Sequence, residues 1–232
     1  TAMIGIAAII LSARNKDWNV LNKASLLGAL TTFLYWQLED PTSVHHDAFL
    51  SAEAARQLYL GFTFILFHVA SLLPGHRADS VLNGLNAGGV YLVYNLTCDP
   101  IKPYGLVEFG IDLIYGLSYF DCITTWKERF EDTKTFVQSM LILTALFLGL
   151  GTLQYFDTDI QAAVLASEAA VFGWLSRDTK NPIILKAFST LFWIIASLNM
   201  IGLVFGFSVS TTTFVLNSVW VALCGIFLER VV

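Results

Sequence analysis

Apolar residues run in long unbroken blocks along this chain, and the polar residues gather between the blocks instead of alternating within them. Stretches such as SMLILTALFLGLG and LFWIIASLNMIGLVFGF show no period-two pattern, which a membrane β-barrel strand would carry over about ten positions. Only helices and closed barrels satisfy every backbone group in hydrocarbon, so the pattern predicts helices. A bilayer core of about 30 Å asks for roughly 17 to 25 mostly apolar residues per helix. Spans are predicted at 2 to 13, 24 to 38, 57 to 74, 81 to 97, 104 to 126, 135 to 155, 160 to 176, 184 to 207 and 211 to 228. The first two are short. Because the sequence opens on Thr1 and not on Met, the first span is expected to be longer in the native chain.

The expected fold is all-α: a polytopic transmembrane helical bundle of about nine helices, or eight, forming one domain over residues 1–232. Its longest extramembrane loop is 39–56, where Pro41 ends the second span and SAEAARQ, with Ser51 as N-cap, starts the third helix before the membrane. Composition agrees. The chain is 56% hydrophobic and 13% charged, against about 45 to 50% and about 25% in soluble domains, and its mean hydropathy is +0.65.

Basic residues test the segmentation, because Lys and Arg in short loops collect on the cytoplasmic side. With the nine spans above, Arg14, Lys16, Lys23, Arg77, Lys127, Arg129, Lys134, Arg177, Lys180, Lys186 and Arg230 fall on one side, and only Arg56 and Lys102 on the other. The expected topology therefore has the N-terminus outside and the C-terminus inside, with 39–56 on the non-cytoplasmic side. The localisation expected is integral membrane and multi-pass. Nucleic acid is not an expected partner, since the longest charged run, KERFEDTK at 127–134, balances its signs and offers no basic stripe.

Small residues in GLNAGG at 84–89, near 149–151 and in AAVLASEAA at 162–170 allow close helix approach. Cys98, Cys122 and Cys224 lack metal-type spacing and read as small core residues. His45, His46 and Asp47, with Glu39 or Asp40, hold zinc-compatible donor types, but adjacent histidines are an unusual ligand spacing. A solvated loop is the simpler expectation, with no metal and no cofactor. Phosphate loops, CxxC pairs, a nucleophile elbow and a histidine-box array are all missing from the sequence.

Ionisable groups at membrane depth are costly and mark functional candidates. With a rise of about 1.5 Å per residue, Glu108 lies roughly 6 Å from the non-cytoplasmic end of its span, Asp112 roughly 12 Å, and Glu168 roughly 12 Å along its own. Asp121 and Lys186 lie near the opposite interface. Glu108, Asp112, Tyr115 and Tyr119 fall at helical spacing on one face, and two carboxylates one turn apart in low dielectric cannot easily both ionise. Asn95, Asn199 and Asn217 are expected in the same outer layer, and His68 lies near mid-membrane. The expected object is a polar pocket opening to the non-cytoplasmic side, with Glu108, Asp112 and Glu168 catalytic and Asn95, Tyr115, Tyr119, Asn199, Asn217 and His68 contacting a ligand. Plain interhelical hydrogen bonding would use the same residues.

Three functions fit. The first is a cofactor-independent membrane enzyme, an isomerase, cyclase or hydrolase, in which one carboxyl acts as general acid and another as base on a small lipophilic molecule. The second is a non-catalytic subunit of a larger membrane complex, whose partners would be other membrane subunits. The third is a proton- or cation-coupled transporter, although polar groups thin out toward the cytoplasmic half. In every case the lipid bilayer is the surrounding partner.

Overall fold

The computed structural model describes residues 19–38, 52–72, 79–125, 130–177, 182–206 and 210–231. Their regular structure is entirely α-helical, in eight helices: α1 (Asn19–Leu38), α2 (Ala52–Leu72), α3 (Ser80–Thr97), α4 (Leu106–Thr125), α5 (Phe130–Tyr155), α6 (Thr158–Leu175), α7 (Pro182–Gly206) and α8 (Thr211–Val231). Each coincides with a predicted span. The predicted helix at 2–13 lies outside the described residues, as do His45, His46, Asp47 and Ser51. The early start of the next helix is seen, with α2 beginning at Ala52.

Local chemistry sets the ends. Asp79 caps α3, its Oδ1 accepting from the backbone N–H of Val81 at 3.0 Å and of Leu82 at 3.1 Å. Ser210 caps α8 by accepting from Thr213 N at 3.1 Å. Pro182 opens α7, where a missing N–H costs nothing. Between α5 and α6 only Phe156 and Asp157 intervene. There the Gln161 side-chain amide donates to the carbonyls of Leu153 at 2.7 Å and Phe156 at 2.9 Å, satisfying acceptors that the end of α5 leaves open.

Among the described residues, three helices are long and apolar enough to cross a membrane: Lys134–Tyr155 in α5, Pro182–Gly202 in α7 and Thr211–Arg230 in α8. A shorter apolar stretch, Ile160–Leu175, fills α6. This is the build of a multi-pass membrane protein. Helices α1 to α4 carry more polar residues, among them Lys23, Arg56, Asn83, Asn86, Glu108 and Asp112.

The chain divides into two compact units, residues 1–100 with 119–140 and residues 101–118 with 141–232. In the first unit, Phe33 stacks on Tyr59 at 5.4 Å and Lys23 pairs with Asp79 at 2.8 Å. Its core holds Leu26, Phe67, Leu82, Phe136 and Met140. In the second unit the first turns of α4, the end of α5 and all of α6 to α8 pack around Tyr115, Phe147, Leu165 and Phe192.

Candidate functional site

The candidate site belongs to the second unit and starts from a helix pair. Gly116 lies against Thr144, Phe109 against Gly151 and Gly105 against Tyr155, an antiparallel register in which α4 and α5 advance in equal steps. The approach is close because glycine stands at the crossing points: a Cβ on Gly151 would come within 2.8 Å of the Phe109 ring. Gly105, at φ 89°, takes a left-handed conformation, and a Cβ there would meet the Gly151 carbonyl oxygen at 2.7 Å. Phe109 and Tyr155 complete the end of the pair edge to face at 5.7 Å. The same register brings Glu108 level with Thr152 and Asp112 level with Leu148.

Helix α6 turns back along α5, and Thr152 Oγ1 donates to Glu168 Oε1 at 2.5 Å. Thr152 is fully buried. The other carboxyl oxygen of Glu168, Oε2, is also buried and has no hydrogen-bond partner among the described residues. Asp112 lies close enough to act electrostatically on Glu168. One more buried oxygen on this face of α5, Thr144 Oγ1, has no partner among the described residues, and it lies two turns from Thr152.

Helices α7 and α8 fix α6 in place. Ser189 donates to the Ala169 carbonyl at 2.7 Å, one residue from Glu168. Phe172 packs edge to face on Phe192 at 5.5 Å. Trp220 donates to Ser167 at 2.9 Å and Arg177 to the Arg230 carbonyl at 3.1 Å. Those two pairs share one offset, so α6 and α8 run parallel and in step.

The predicted site residues are distributed as follows. Glu168 and Asp112 belong to the same unit, within electrostatic range of each other. Glu108 is buried in the same unit at 3% exposure, and Tyr115 is fully enclosed there. Asn199 donates to Gln161 Oε1 at 3.3 Å, which ties α7 to the α5–α6 turn. Asn217 is buried on α8. Three residues belong to the first unit instead. Asn95 is exposed and its amide bonds its own helix at Tyr91 O, 2.9 Å. Tyr119 is partly exposed, and His68 is buried with its ring stacked on Phe64 at 6.1 Å. Near His68, Asn86 donates to Phe64 O at 2.8 Å and keeps a buried Oδ1 without a partner among the described residues.

Sequence reasoning missed Thr152, Thr144 and Gln161. The signal was present in part: Thr144 and Thr152 are polar, eight positions apart and interrupt an apolar helix. Among the described residues no group of three or more His, Cys, Asp or Glu side chains is placed to hold a metal.

No family model matches this chain, and neither a curated protein nor a solved structure matches it. The chemistry of the site is therefore the ground for any functional assignment.

Proposed function

We propose that the second unit carries an acid/base site, buried in the membrane, that acts on a small lipophilic molecule. The single observation behind it is Glu168, whose Oε1 is fixed by Thr152 while Oε2 is buried and unpartnered among the described residues. A buried carboxyl oxygen without a partner costs roughly 1 to 3 kcal/mol, a cost that a ligand group would relieve. Glu168 delivers a proton from Oε2, Asp112 accepts one, and Glu108 lies one turn from Asp112 on the same helix face. Isomerisation, cyclisation and hydrolysis all fit such a pair, and none of them requires a redox group. The basic-residue asymmetry of the sequence supports a bundle of about nine spans with its C-terminus inside and this site toward the non-cytoplasmic end.

The test compares purified wild-type protein with Glu168→Gln and Asp112→Asn, following thermal stability with and without a lipid extract. The expected result is a stabilising shift in wild type that both variants lose while still folding. A shift of equal size in all three proteins, or none in wild type, would overturn the proposal.

A second reading, a subunit of a larger membrane assembly, is favoured by α8. Val215, Leu216, Val219, Leu223, Ile226 and Phe227 form one continuous exposed apolar stripe along it. Membrane partners would bury that surface, and neutralising the acids would then leave assembly unchanged.

A further inference from the structure

We propose that the cleft between α7 and α8 binds one phospholipid whose headgroup carries a primary ammonium. Trp193 shapes the cleft. Its indole N–H donates to the Val221 carbonyl at 3.2 Å, and its ring lies so near Gly225 that a Cβ there would stand 2.9 Å from Nε1. The ring is thereby pinned on the α8 backbone. Beside it opens a cavity of about 320 Å³ lined by Thr190, Trp193, Gly225, Leu228 and Glu229, a volume in the range of sites for small molecules, about 300 to 1,000 Å³. Both walls belong to helices long and apolar enough to cross a membrane, so an acyl chain is the natural occupant of the apolar part.

The rim selects the headgroup. Trp193 against Val221 and Gly225 sets an antiparallel register that brings Lys186, one turn before Thr190, level with Arg230. Arg177 reaches the same level through its bond to the Arg230 carbonyl at 3.1 Å. Three cations therefore stand at one end of the unit, while Glu229 is among the residues that line the cleft itself. A zwitterion matches both charges: its phosphate lies toward Lys186, Arg177 and Arg230, and its ammonium donates hydrogen bonds to Glu229. Choline has no N–H to donate, and a purely anionic headgroup would leave Glu229 facing like charge.

Full-length protein is to be incubated with vesicles of phosphatidylcholine alone, or of phosphatidylcholine mixed with phosphatidylethanolamine or phosphatidylglycerol of matched acyl chains. Retained lipid is read by native mass spectrometry and stability by thermal melting. One phosphatidylethanolamine per chain is expected, and Glu229→Gln should reduce its preference over phosphatidylcholine about tenfold, the scale of one charge-assisted hydrogen bond. Gly225→Leu, which forces the Trp193 ring off the α8 backbone and so removes the cleft's shape, should abolish retention. Should that variant misfold, Glu229→Gln at its exposed position still decides the matter. Equal retention of all three lipids, a preference for phosphatidylglycerol, a preference that survives Glu229→Gln, or a second protein copy in place of lipid would each overturn the proposal.

Discussion

Thr152 and Glu168 face each other across the α5–α6 hairpin, hydroxyl to carboxyl at 2.5 Å. Thr31, Thr32, Thr97 and Thr124 instead return their hydroxyls to a carbonyl one turn earlier on their own helices, the usual resting place for a helical threonine. Thr152 spends its donor on another helix, and by occupying Oε1 it leaves Oε2 as the oxygen that carries or receives a proton.

Replacing Thr152 with Val preserves shape and removes the donor, so both oxygens of Glu168 become unpaired. Thr152→Val should cost about 1 to 3 kcal/mol and shift the infrared carbonyl band that Glu168→Gln identifies. Thr152→Ser keeps the hydroxyl and should restore the wild-type band. An unchanged band in Thr152→Val would show that the threonine only fills space.

Gly105 provides a test of the register beneath the site. Its φ of 89° and the 2.7 Å approach of the Gly151 carbonyl to any Cβ act together. Gly105→Ala should therefore destabilise by more than about 1 kcal/mol, the size of the conformational effect alone. Gly110→Ala is the control: it lies inside α4, the helix that Gly105 precedes, with open space around it, and should be neutral or slightly stabilising. Thermal melting of the two variants side by side checks the prediction.

In the first unit, Asn86 ties α3 to α2 through the Phe64 carbonyl at 2.8 Å. Hydrogen bonds of this kind in membrane bundles contribute about 0.6 to 2 kcal/mol. Asn86→Ala should lower stability by that amount. Asn86→Leu should lower it less, because both substitutions remove the buried Oδ1 that has no partner among the described residues, but only Leu fills the space that Ala leaves empty. If Leu proves worse than Ala, packing around residue 86 outweighs the hydrogen bond.

The helices could be read from the sequence because apolar block length is a one-dimensional property, and α3, α6 and α8 begin within two residues of their predicted starts. Glu108, Asp112 and Glu168 were legible as candidates for a similar reason, since a carboxyl inside an apolar run stands out on its own. Their partners were not. Thr152 meets Glu168 only because two residues separate α5 from α6, and Asn95 turned to its own helix at Tyr91 where a pocket contact was expected. Spacing says which residues share a helix face; it does not say which neighbour that face meets.

Asp79 joins two roles that substitution can separate. Its Oδ1 caps α3 by accepting from Val81 and Leu82, and its Oδ2 pairs with Lys23 of α1 at 2.8 Å. Asparagine keeps a capping oxygen and loses the charge, whereas alanine loses both. Asp79→Asn should therefore cost only the ion pair, about 0.2 to 1 kcal/mol for a partly exposed contact. Asp79→Ala should cost about 1 kcal/mol more, the loss of an N-cap. In a Lys23→Gln background the penalty for Asn should vanish while the penalty for Ala persists. A double-mutant cycle read by thermal or denaturant unfolding measures both terms, and an equal penalty for Asn and Ala would mean that the cap contributes nothing.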